Sequence, residues 1–201
     1  MLKLDHIAVS ATALDQASIV EATLGVPLQH GGQHREMATH NRLLGLGDDY
    51  LEVIAPDPDA APVSHPRWFD LDHFAGPPRL TTWICRVDDL SACLRLWPQA
   101  GRIMDFARGA LRWQMAVPDT GKLPYDGAFP ALIAWQSAHP AAQLKSQGCR
   151  LVSLEVRHPL ADEMRALLSP YLADERIVFV SHPVKDLRAQ IETPDGIRVL
   201  T

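Results

Sequence analysis

Polar and apolar positions first alternate along this chain, then recur at helical spacing, then alternate again, and the whole order is repeated. In Leu4-Asp5-His6-Ile7-Ala8-Val9-Ser10, a period of two separates Ile7 and Val9 from His6, Ala8 and Ser10, which predicts a half-buried strand. Thr12 then reads as the N-cap of a helix carrying Leu14, Ala17, Ile19, Val20 and Leu24, stopped by Gly25 and Pro27. Strand patterns follow at 28–37, 41–46 and 50–54, with breakers at Gly31-Gly32 and a hairpin turn at Gly47-Asp48-Asp49. Residues 1–56 therefore spell a βαβββ module.

After a Pro/Asp/Ala-rich linker or lid over 57–79, the same order restarts. An alternating strand at 80–87 precedes a helix with Leu90, Cys93, Leu94 and Trp97, capped by Asp88 or Asp89 and ended by Pro98 and Gly101. Strands at 102–106, 111–117 and 131–136 complete a second βαβββ module within 80–140. A third start at Leu151 leads through a helix with Leu160, Met164, Leu167 and Leu168 to a strand at 177–180. A hairpin of 189–193 with 197–200 then turns at Pro194-Asp195-Gly196. The three starts lie roughly 70–80 residues apart, too long for a solenoid repeat. The expectation is one α+β domain of two βαβββ modules plus a C-terminal βαββ half-module over 150–201.

The chain has 201 residues, 47% hydrophobic and 21% charged, with a formal net charge of −5, so it can bury a core large enough to offset its ordering entropy. No Lys/Arg cluster suggests a nucleic-acid partner. No apolar stretch suggests a signal peptide or membrane span, and a cytoplasmic protein is expected. Cys85, Cys93 and Cys149 form no C-x-x-C pair and read as small buried hydrophobes. Phosphate loops, nucleophile elbows and H-E-x-x-H helices are absent.

The opening Leu4-Asp5-His6-Ile7-Ala8-Val9, the strands Thr39-His40-Asn41-Arg42-Leu43-Leu44 and Tyr50-Leu51-Glu52-Val53-Ile54, and Ala134-Trp135-Gln136 with His139-Pro140 resemble the glyoxalase-like branch of the vicinal oxygen chelate superfamily. The resemblance spans almost the whole chain. It implies paired βαβββ modules curled into an open, mixed-sheet cup with helices outside, and a divalent metal (Zn, Mn, Fe or Ni) held by the first and fourth strands of each module. The implied activities are of lyase, isomerase or dioxygenase type; some members only bind small molecules. His6 and Glu52 match ligand positions of the family and are also the expected catalytic pair. Alternation independently puts both on the strand faces away from the helix. In the second module, Thr82 aligns with His6, and Gln136 is the only polar counterpart to Glu52, so the ligand set is incomplete.

Other side chains suit a ligand in the same cup. His40 and Asn41 open a strand beside it. Arg42 and Arg112 are candidate anion clamps, and Trp113 and Trp135 are core residues or stacking walls. In the linker, His65, Asp70, Asp72 and His73 read as an acid/base or metal set, or else Trp68 and Phe69 pack over the cup mouth as a lid. The expected function is a glyoxalase-like small-molecule enzyme, with a non-catalytic binder using the same cup as the alternative. Homodimerisation through exposed sheet edges is a further expectation.

Overall fold

The computed structural model describes residues 1–201. The first module comprises β1 (Lys3–Ser10), α1 (Ala17–Leu24), β2 (Gln29–His34), β3 (Thr39–Gly45) and β4 (Tyr50–Pro56). The second comprises β5 (Arg79–Arg86), α2 (Leu90–Leu96), β6 (Arg102–Arg108), β7 (Leu111–Val117) and β8 (Ala131–Trp135). Their strands form one sheet in the order β2-β3-β4-β1-β5-β8-β7-β6. Within each module the first and fourth strands pair in parallel, Ala8 beside Glu52 and Ile84 beside Ala131. The modules join through the antiparallel β1–β5 pair, where Ile7 faces Trp83. The sheet curls until the end of β6 comes up to β2, and Arg108 reaches across to His34.

Several local expectations change. Thr12 caps nothing: its N–H donates to the Gln16 side chain at 3.1 Å, and a short 3-10 turn at Leu14–Gln16 precedes α1. Ile19, placed on the apolar face by its spacing, is 50% exposed, while Ala17, Val20 and Leu24 are buried. Asp89 does cap α2, accepting from the Ala92 N–H at 2.8 Å. The strand expected over 28–37 ends at His34, because residues 35–37 turn into the left-handed Ala38, φ 48°.

The C-terminal unit has β9 (Arg150–His158), α3 (Ala161–Leu168), β10 (Ile177–Ser181), β11 (Asp186–Thr193) and β12 (Gly196–Leu200), so it carries four strands where βαββ has three. They form a separate sheet, β10-β9-β11-β12. Here α3 returns the chain to a strand lying parallel beside β9. In the two earlier modules it is the fourth strand that takes that place.

Two cores result. The larger lies on the convex side, where α1, α2 and the C-terminal sheet cover β1, β5 and β8; Trp83 is fully buried there, edge-on to Phe179 at 6.2 Å. Its indole N–H is satisfied by the Ala128 carbonyl at 2.8 Å, as a buried indole requires. The smaller core fills the concave side with Ala8, Ile54, Ile84, Phe106, Trp113 and Met115. Trp68, Phe69 and Leu71 of the linker join it, so residues 68–73 plug the cup as a run of 3-10 turns. Phe69 and Asp70 both adopt left-handed backbone, φ 59° and 56°, a conformation costing about 1–2 kcal/mol per non-glycine residue. The plug is held by the Asp70 N–H on the Gly121 carbonyl at 3.0 Å. Gly121 is obligatory, since a Cβ there would lie 2.0 Å from the Arg67 carbonyl oxygen and its φ is +73°. Cys85 and Cys149 are buried, Cys93 is half-buried, and all three are free thiols.

Candidate functional site

A bulge builds the polar end of the cup. Leu4 pairs with Cys85 and His6 with Ile84, so two residues of β1 oppose one of β5. Leu4 and Ile7 can then both join the convex core, where strict alternation would separate them, and Asp5 is left beside His6. The Asp5 carboxylate is fully buried and accepts from His6 Nδ1 at 2.6 Å, His139 Nε2 at 2.9 Å and the Trp135 indole at 2.9 Å.

From there a continuous polar chain crosses the site. His6 Nε2 lies 3.4 Å from Glu52 Oε2, and the His6 ring stacks on Tyr50 at 4.3 Å. Asn41 donates to the other Glu52 oxygen and accepts from the Gly32 N–H at 2.8 Å and from Arg108 at 3.3 Å. Gly31 and Gly32 make room for this: a Cβ on Gly31 would fall 1.8 Å from Asn41 Oδ1, and one on Gly32 2.7 Å from Arg108 Cδ. Arg108 also donates to His34 Nε2 at 3.3 Å. His34 must therefore be the neutral Nδ1–H tautomer, donating to Thr39 Oγ1 at 3.2 Å.

The titration behaviour follows from these partners. For His6, burial opposes the charged form, but the hydrogen bonds with Asp5 and Glu52 outweigh it and raise the pKa to about 9. For Glu52, burial favours the neutral acid, and His6 reverses this, lowering the pKa to about 2 with help from Asn41. Asp5 is held well below the usual carboxylate range because His139 and His6 overcome its burial. His34 has no carboxylate partner, and burial lowers its pKa to about 4. At neutral pH the site thus holds an imidazolium between two carboxylates, a neutral imidazole and a guanidinium.

All of these groups but Asp5, which is buried behind His6, line a narrow cavity of about 30 Å³, room for one or two waters. Trp68 and Phe69 of the plug close one side, and Trp113, Trp135, Met115 and Ile133 of the second module close the other. Phe106 and Trp113 stack at 5.5 Å, and Trp113 meets Trp135 at 5.4 Å. The Trp68 indole N–H is buried without a hydrogen-bond partner.

Of the residues singled out from the sequence, the structure gathers His6, Glu52, Asn41, Trp113 and Trp135 around this cavity. His40 is on the other face of β3, 3.8 Å from Asp57, and Arg42 shares that face, so neither lines it. The Arg112 guanidinium is tied to the carbonyls of Gly109 and Leu111. Gln136 is exposed, one residue beyond the end of β8. The counterpart of Glu52 in the parallel register is Ala131, not Gln136. The linker set also divides: Asp72 pairs with Arg67, Asp70 with His73, and none of them lines this cavity.

Asp5, His34, Tyr50, Arg108 and His139 were not foreseen as site residues. Arg108 lies two residues after Phe106, on the same strand face, so continuing the alternation past 106 would have found it. Asp5 is adjacent to His6, but only the bulge brings the two together. The polar β2, Gln-His-Gly-Gly-Gln-His, has no apolar face from which His34 could be oriented.

The donor set does not fit a resident divalent cation. His6 and Glu52 face each other, the His6 Nδ1 is taken by Asp5, and the second module supplies Thr82 and Ala131 at the mirrored positions. No three His, Cys, Asp or Glu side chains gather as a metal-holding group, and a guanidinium lies across the cavity.

The glyoxalase-like domain family matches residues 4–172, and the chain belongs to that family. Among solved structures, a hypothetical protein from Staphylococcus aureus is 13% identical with a TM-score of 0.61, covering 92% of this chain and 88% of that one. A methylmalonyl-CoA epimerase from Mycobacterium tuberculosis is 23% identical over 70% of this chain and 91% of its own, at a TM-score of 0.44. A mutant 4-hydroxymandelate synthase from Streptomyces coelicolor is 16% identical over 68% of this chain and 50% of its own, at 0.40. No curated protein matches the sequence. The likeness to the Staphylococcus aureus structure, at 13% identity, establishes the fold, a curled mixed sheet as the sequence led one to expect, and no activity. No helix is long and apolar enough to cross a membrane.

Proposed function

We propose that the cup is the active site of a small-molecule enzyme that moves a proton at a carbon next to an oxyanion, chemistry of the isomerase or lyase type. The observation that carries this reading is a buried acid beside a buried base, the His6 imidazolium 3.4 Å from the Glu52 carboxylate. In the resting site Glu52 is a weak base because His6 stabilises its charge. The closed cavity of about 30 Å³ must open by movement of the plug for a substrate to enter between the two; such a substrate removes that stabilisation and raises the basicity of Glu52 as it approaches the C–H bond. Glu52 takes the carbon-bound proton while His6 Nε2–H protonates the oxygen on which charge develops; Glu52 then returns one proton to carbon, at the same or the neighbouring atom, and a hydroxyl of the intermediate returns one proton to His6, so both groups end as they began. Asp5 fixes the ring orientation and keeps His6 charged. Arg108 and the unpartnered Trp68 N–H supply donors for a second substrate oxygen, and the aromatic walls favour a compact, largely apolar organic acid.

The test is solvent deuterium exchange, followed by NMR, across small 2-oxo and 2-hydroxy acids. Wild type is expected to wash deuterium into the C–H next to the oxyanion of one compound, and Glu52→Gln to slow this by about 10²–10⁴-fold while melting as a folded protein. Exchange retained in Glu52→Gln would overturn the proposal. The small cavity with its paired polar groups favours a second reading, a binder. That reading predicts a compound that stabilises wild type and Glu52→Gln equally and never exchanges.

A further inference from the structure

On the far side of the plug lies a second cavity of about 250 Å³, and Phe69 forms a wall of both. Three parts of the chain meet there: the plug, the start of β5 with the loop between β7 and β8, and the segment leading into β11. Its charges are not balanced. Lys122 is paired with Asp126 at 3.0 Å, and Asp70 with His73 at 2.7 Å. Lys185 and Arg79 have no carboxylate within ion-pairing distance. Lys185 donates to the Thr81 carbonyl at 2.6 Å, leaving two of its three N–H donors free. Arg79 donates once, to the Ala75 carbonyl at 2.8 Å, and lies over the Phe74 ring at 4.2 Å. Two cations without a direct ion-pair partner thus share a cleft with the carboxylates of Asp70 and Asp126, three Lys/Arg side chains against two acidic ones, in a chain of net charge −5.

We propose that this cleft is an oxyanion-binding site, taking a phosphate or carboxylate group between Lys185 and Arg79. Guanidinium and ammonium donors arranged around a cavity suit such a group, which would supply the charge both cations lack. The condition of the lysine accords with this: burial, reinforced by the charges of Arg79 and Lys122, lowers its pKa to about 8 despite the opposing charges of Asp186 and Asp126. Lys185 belongs to the C-terminal unit, beyond the residues 4–172 matched by the family. The site does not depend on proton transfer in the cup.

Calorimetric titration of the full chain with inorganic phosphate and with phenyl phosphate tests it. Wild type is expected to bind with saturation, Lys185→Met and Arg79→Gln each at least tenfold more weakly with unchanged melting temperatures, and Arg108→Gln, altered only in the cup, as wild type does. Tighter binding of phenyl phosphate would identify the group as one carried on an organic ligand packed against Phe69 and Phe74. Equal affinities would identify a free anion; both support the site. No saturable binding by wild type, undiminished binding by Lys185→Met, or loss in Arg108→Gln instead would overturn it. Because no cup substrate is involved, failure here leaves the deuterium-exchange result untouched.

Discussion

His6 is held as an imidazolium by two buried carboxylates, and its charge is a contribution to stability that depends on pH. Its folded pKa, about 9, lies above the unfolded value near 6.5. The contribution is therefore complete below about pH 6.5 and is lost as pH rises through about 9, with a slope of up to about 1.4 kcal/mol per pH unit. Thermal melts of wild type between pH 6.5 and 9 are expected to show this fall and those of His6→Gln to lack it, so that the stability difference between the two proteins changes across that range. His34 behaves oppositely. With a pKa lowered to about 4, it stays neutral when folded, and its contribution is lost as pH drops from about 6.5 toward 4. Gly31→Ala tests the same chain of contacts from its far end. The added methyl displaces Asn41 from Glu52, and a loss of about 1.5–3 kcal/mol in denaturant unfolding is expected, the magnitude of a hydrogen bond to a charged group.

The strands of the cup were legible where one face is apolar and the other is not. β7 runs over the residues that alternation assigned, and Glu52 stood out as a lone carboxylate in Tyr50-Leu51-Glu52-Val53-Ile54. The bulge at Asp5 was not legible, because it depends on the register of a strand 80 residues further along the chain rather than on any local pattern. Nor was the end of β6, whose last residues resemble a turn and yet carry Arg108 into the site. His40 and Arg42 were misjudged for a related reason: both faces of β3 begin with polar residues, Thr39 and Asn41 on one and His40 and Arg42 on the other, and only the fold decides which one is buried against the cup. The plug is the element on which access depends. Its left-handed Phe69 and Asp70 are tolerated because Gly121 lets the chain dock closely. Gly121→Ala is expected to undock it, increasing proteolytic cleavage near residue 70 and red-shifting Trp68 emission while the two sheets stay folded.

At the scale of the molecule, the sequence announced three units but not that the third would form its own sheet, since a strand pattern says which face is buried and not which strand lies next to it. That sheet covers Trp83, Cys85 and Leu132, and the chain ends are tied in by the Leu80 N–H on the Thr201 carbonyl at 3.0 Å and the Leu2 N–H on the Tyr171 carbonyl at 2.8 Å. Deleting residues 150–201 would expose side chains whose burial is each worth about 1.5–3 kcal/mol. The truncated chain is expected to bind hydrophobic dye and to lose its cooperative melt; a truncation that melts as wild type does would show the C-terminal unit to be dispensable.

The two modules share a backbone plan, but their contributions to the cup differ, with His6, Asn41 and Glu52 on one side and Phe106, Trp113, Met115 and Ile133 on the other. For directed evolution this amounts to a ready separation of roles. Exchanging the four apolar positions among apolar residues of similar total volume should yield a library that still folds and varies in which compound it accepts, whereas near-isosteric changes at the polar three should yield proteins that accept compounds and leave them unchanged.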